Sequence, residues 1–108
     1  MKHLHGPDVE SYDASAFGFE GAAKWKLKLL SDASVWNELD PGGYTPAEHI
    51  HDDNIERGVV ISGKGVIIHG GNRIEIQPRD FFEIVEGNHQ YINTGSEPLI
   101  FVCFRYPR

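Results

Sequence analysis

The chain has 108 residues, 40% of them apolar and 24% charged, with a net charge of −6 and a pI near 5.4. That length allows one domain with a modest core of its own. The acidic balance excludes nucleic acid as the main partner, and no apolar run approaches the roughly 18 residues of a membrane span.

Twelve glycines and six prolines cut the chain into short pieces rich in β-branched and aromatic residues. This predicts many strands, tight turns and few helices. Residues 1–20 are weakly patterned, with 16–19 expected as an arm or edge segment. The first seven residues hold no hydrophobic signal region, so a cytoplasmic address is expected. Residues 25–30 alternate apolar and charged, and Lys24, Lys26 and Lys28 form one solvated stripe. A short strand over 34–39 is expected to end at Asp40-Pro41-Gly42-Gly43, which reads as a turn.

Residues 48–51 are extended, and Asp52-Asp53-Asn54 turns the chain into a strand over 55–61. Strands at 66–69 and 73–77 flank the hairpin signal Gly70-Gly71-Asn72. Strands at 81–85, 89–93 and 99–106 complete nine or ten, which predicts an all-β sandwich or barrel. No internal repeat, low-complexity segment or linker divides the chain. Cys103, the single cysteine, allows no intramolecular disulfide and fits a reducing compartment. It reads as a small buried hydrophobe.

The residues with the most chemistry begin at His49 and His51, which share a face if extended. The turn at 52–54 resets the parity, so Glu56 meets them from the neighbouring strand. Gly58, Val60 and Ser62 share the Glu56 face, and their small size predicts room above an ion. His89 adds a third imidazole, with Tyr91 and Asn93 on its face. Three nitrogens and one oxygen hold a divalent ion and leave positions open for a ligand. His3 and His5 repeat the spacing of His49 and His51 but lack a flanking carboxylate, and are not read as ligands. Phe82 and Tyr91 are expected to line the pocket. Parity cannot decide whether Trp25 and Trp36 reach it or pack outside. Glu83 is the candidate general base, on condition that it faces the pocket. Tyr91 and Arg105 are candidates for substrate contact. Arg57 points the other way, toward a surface ion pair.

The pattern Gly43-x5-His49-x-His51-x4-Glu56-x6-Gly63 resembles the first motif of the cupin superfamily in full. His89-x3-Asn93 resembles part of the second motif, with Gly87 one position nearer the histidine and Val85 where proline is usual. Gln77-Pro78-Arg79-Asp80 resembles the Pro-Gly-Asp turn that precedes it, with Arg79 in place of glycine. The resemblance covers about residues 38–106. It implies one cupin domain over 1–108, a double-stranded β-helix of jelly-roll type with its barrel core at 38–106. It further implies His49, His51, Glu56 and His89 as the metal ligands, and a homodimer formed by sheet-to-sheet packing.

Fold alone does not give function. The first expectation is a metal-dependent enzyme, of dioxygenase, isomerase or lyase type, acting on a small polar or aromatic molecule. Its metal would be Fe, Mn, Ni, Co or Zn. The alternative is a non-catalytic module that binds or senses a small ligand through a metal anchor. A third reading is a structural ion that staples the barrel, which predicts a pocket plugged by bulky side chains.

Overall fold

The structure, a computed structural model, describes residues 1–17, 19–46, 54–85 and 88–107. These form nine strands: β1 Ser11–Asp13, β2 Ala23–Ser31, β3 Ser34–Tyr44, β4 Asn54–Ser62, β5 Gly65–His69, β6 Asn72–Ile76, β7 Phe81–Ile84, β8 His89–Asn93 and β9 Leu99–Pro107. Two short 3-10 turns, Gly6–Asp8 and Ala14–Phe17, precede β2. No helix among the described residues is long and apolar enough to cross a membrane.

All pairings between these strands are antiparallel, and one sheet runs β6-β5-β8-β3-β9-β4-β7, with β2 on β3 and β1 on β2. The sheet curls on itself, so the expected all-β jelly roll is what forms. Its inner face follows from period-two alternation. On β2, Trp25 and Leu27 are buried while Lys24 and Lys26 are exposed. Leu39, Val60, Val66, Leu99 and Phe101 are fully buried, each worth about 1.5–3 kcal/mol of transfer free energy.

The turn expected at 40–43 is corrected. β3 runs through it to Tyr44, leaving β9 after Leu39 and pairing Ile92 of β8 at Tyr44. Against β2 the register jumps between Ala23↔Tyr44 and Trp25↔Leu39, a bulge. Gly42 at φ +80 accommodates it, because only glycine enters that region without cost. The bulge bends one strand between two neighbours where a turn would have ended it. The arm also differs: the edge strand is Ser11–Asp13 paired with β2, and the chain then enters the 3-10 turn Ala14–Phe17.

The Gly70-Gly71 hairpin forms as expected, with both glycines at positive φ and His69↔Asn72 as the closing pair. At Arg79, the position where the resembling turn carries glycine, φ is +74. Arg79 N donates to Val60 O at 3.0 Å, and Gln77 N to Asp80 Oδ2 at 3.1 Å. The turn is held by these bonds, one to backbone and one to the Asp80 carboxylate, even though its residue type is unfavourable.

Candidate ligand cavity

Glu56 points inward from β4 and is only 4% exposed. A carboxylate taken that far from water needs partners. His89, the first residue of β8 and also buried, places Nε2 3.1 Å from Glu56 Oε2. Tyr91 stands two residues further along the same face, and its hydroxyl donates a short hydrogen bond to the same oxygen. Arg105 lies opposite Glu56 in the β4–β9 register, with Nε 3.8 Å from Oε1.

These partners set the ionisation. Burial by itself raises the Glu56 carboxyl. Hydrogen bonds from His89 and Tyr91, and the charges of His89 and Arg105, outweigh it and hold the group below its ordinary value. Burial pushes the Tyr91 hydroxyl well up, with Cys103 and Glu56 adding to the effect. Tyr91 therefore keeps its proton and acts as a donor. The Cys103 thiol, 3.9 Å from the Tyr91 hydroxyl, is also pushed well up by burial and by Glu56. Cys103 is buried, as expected, and it borders the cavity.

The backbone fixes β8 in this pose. Tyr91 N donates to Thr45 Oγ1 at 2.9 Å, and Thr45 N donates to Tyr91 O at 3.0 Å. Asn93, which shares the His89 face in the sequence, holds the following turn instead. Its Nδ2 donates to Leu39 O and Glu97 O at 2.8 Å, and Gly95 N donates to its Oδ1 at 2.8 Å.

Above this cluster opens a cavity of about 180 Å³ with mostly apolar walls. Trp25, Leu27 and Phe101 form its depth, and Leu29, Phe17 and Arg105 stand where it meets solvent. Trp25 resolves the parity question: it faces inward, and its Nε1 donates to Asn37 Oδ1 at 3.1 Å. Trp36 does not line the cavity and donates to Glu38 Oε1 at 2.9 Å.

Of the expected site residues, Glu56, His89 and Tyr91 come together, while His49 and His51 lie outside the described residues. The reading of Glu83 is corrected. It is exposed on the outer face, where Arg57 Nε binds its Oε2 at 2.7 Å in the Arg57↔Glu83 register pair. Parity on β7 buries Ile84 and turns Glu83 out. The room expected over Gly58 is also corrected, because the Phe82 ring fills it. A Cβ built on Gly58 would sit 2.1 Å from Phe82 Cζ. Sequence reasoning missed Phe17 and Phe19 as cavity residues. Their only signal was aromatic density, with Tyr12, in an otherwise weakly patterned segment.

Two of the four expected donors, Glu56 and His89, lie among the described residues, and their chemistry suits a divalent ion. Glu56 Oε2 and His89 Nε2 converge on the cavity at 3.1 Å. That is about the separation of two adjacent ligands that each bind an ion at ~2.1 Å. Among the described residues no group of three His, Cys, Asp or Glu gathers, so Glu56 and His89 form half of the expected set.

A family model described as "Cupin domain" matches residues 35–105. Solved structures share the fold over 80–99% of the chain. A predicted oxalate decarboxylase from Thermotoga maritima is 21% identical with a TM-score of 0.84, covering 99% of this chain and 100% of that one. A polyketide cyclase from Streptomyces resistomycificus is 23% identical with a TM-score of 0.81, covering 99% and 79%. The cupin domain of an XRE family transcriptional regulator from Enterobacter cloacae is 25% identical with a TM-score of 0.69, covering 80% and 100%. No curated protein matches the sequence.

Proposed function

This chain belongs to the cupin domain family, and on that footing we propose that it is a metal-binding cupin acting as a metal-dependent enzyme on a small molecule. The observation that carries this reading is the buried Glu56–His89 pair at the base of an apolar cavity. Glu56 and His89 would hold the ion, with His49 and His51 as the further ligands the motif supplies. The ion, one of Fe, Mn, Ni, Co or Zn, would supply Lewis acidity or a site for oxygen activation.

The chain's own residues do the rest. Tyr91 keeps its hydroxyl proton, donates it in a hydrogen bond to Glu56 Oε2 and fixes the carboxylate orientation. Arg105 presents a cation at the mouth for an acidic ligand group. The aromatic walls exclude water from the polar cluster.

Elemental analysis of untagged protein, wild type beside His49→Ala/His51→Ala and Glu56→Gln, tests the proposal. Near-stoichiometric metal in wild type and severe loss in both variants is expected. Normal occupancy in the variants sinks the assignment.

One observation favours a second reading, a non-catalytic ligand-binding module. Glu83, the expected base, faces away from the cavity. Ligand-dependent thermal shifts without turnover of any ligand would mark that outcome.

A homodimer is part of the proposal. The outer face of β7, β4 and β9 carries Phe81 at 82% exposure beside Val59, Phe104 and Tyr106. The exposed Arg57–Glu83 pair lies among these side chains, and a face with this much exposed apolar surface suits a second copy. Sedimentation of wild type beside Phe81→Lys checks it, with dimer expected in the first and monomer in the second.

A further inference from the structure

The walls of the cavity carry information about its ligand. Phe19 lies 5.1 Å from Trp25 and Phe17 6.4 Å from Phe19, ring centroid to ring centroid. At the inner end, Tyr91 lies 4.4 Å from Phe101 and 5.5 Å from His89. Rings from the N-terminal segment, β2, β8 and β9 therefore border one space of about 180 Å³. A cavity of ~150 Å³ with such walls holds benzene. One ring and a small substituent fill the space.

The polar groups around it are few and mostly engaged. Asn37 accepts from Trp25 and donates to Val35 O at 3.2 Å, and Thr45 Oγ1 accepts from Tyr91 N. A polyhydroxylated ligand would leave several hydroxyls unpaired here, at a cost for each. Charge is confined to one side, where the exposed Arg105 stands 3.8 Å from the buried Glu56 and Glu56 meets His89.

We propose that this cavity takes a single-ring aromatic bearing one acidic oxygen group, a carboxylate or an acidic hydroxyl. The ring lies against Phe17, Phe19 and Trp25, and the oxygen points toward Glu56, His89 and Arg105. This orientation rests on the metal reading above, because Glu56 without an ion would repel an acid. Phe17 determines specificity. It is 46% exposed at the mouth and braced by a T-shaped contact with Tyr12 at 5.5 Å. Ala14, fully buried, and the β1–β2 pairing anchor the segment that carries it.

Trp36→Phe leaves Trp25 as the sole tryptophan and so as a reporter inside the cavity. Benzoate, catechol, oxalate and glucose 6-phosphate are titrated into this variant, followed by Trp25 emission and by thermal shift. Metal content is measured on the same protein. Benzoate or catechol is expected to bind at least about tenfold more tightly than oxalate or glucose 6-phosphate. Phe17→Ala, at a half-exposed site that folding tolerates, should weaken the aromatic ligand about three- to tenfold and leave oxalate unchanged. Oxalate or glucose 6-phosphate binding as tightly as the aromatic ligands, or no aromatic binding at all, overturns the proposal. Metal-loaded protein without aromatic preference ends this inference and leaves the metal site standing. Aromatic preference in metal-free protein keeps the ring site but ends the metal reading, and with it the orientation of the acidic oxygen toward Glu56.

Discussion

Glu56 Oε2 and His89 Nε2 lie 3.1 Å apart although two strands, β3 and β9, separate β4 from β8 along the sheet. They meet only because the sheet curls and brings its interior faces together. The contact thus depends on the whole barrel, and its energetics depend on what surrounds the carboxylate.

Tyr91→Phe removes the hydroxyl that donates to Glu56 while keeping the ring between Phe82 and Phe101. A buried charged acceptor then loses a donor, which costs about 1–3 kcal/mol. Urea denaturation of metal-free protein measures it. A change within about 0.3 kcal/mol would show that the hydroxyl contributes nothing to holding the carboxylate.

The Glu56 carboxyl lies below its ordinary value of 4.5 in the folded protein. A depressed folded pKa means that the stabilisation is complete above the unfolded value and is lost as pH falls through the folded one. Chelated wild type should therefore lose stability below about pH 4.5, and Glu56→Gln should flatten that part of the profile. Parallel profiles for the two proteins would contradict the shift.

Gly58→Ala places a methyl group 2.1 Å from Phe82 Cζ. The half-buried ring packs against Tyr91 and Phe101, so it yields only by giving up contact with them. Overpacking of about 1–3 kcal/mol is expected. Phe82→Leu in the same chain should recover much of it, which a double-mutant cycle reads directly.

Arg79 holds φ +74, a left-handed conformation that costs a side chain with a Cβ about 1–2 kcal/mol. Arg79→Gly should raise the melting temperature, with a gain of up to about 1 kcal/mol once glycine's larger unfolded-state entropy is counted. A lower melting temperature would mean that the arginine side chain supplies a contact that outweighs the strain.

Glu83→Gln should leave ligand binding and metal content untouched. Its partner Arg57 is 56% exposed and also stands 5.2 Å over the Tyr106 ring, so the salt bridge contributes little. Stability should move by less than about 1 kcal/mol. Loss of ligand binding in this variant would return Glu83 to the site.

The sequence by itself determined the strand content, the Gly70-Gly71 hairpin, and the inward faces of β2 and β8. Each is a local matter of period-two alternation or of turn chemistry. It also picked out Glu56, His89 and Tyr91, because spacing places their types on inward faces. Only the tertiary structure decided the continuous β3, where a bulge lets Asp40 to Gly43 pass between two partners in place of a turn. Likewise only packing showed that Phe82 fills the space over Gly58 and that Glu83 turns outward to Arg57. Phe17 and Phe19 became cavity residues through the fold of the N-terminal segment, whose sequence carries no periodic pattern. Parity along one strand is a local property, whereas the occupant of a shared space depends on strands far apart in the chain, and only the curled sheet brings them together.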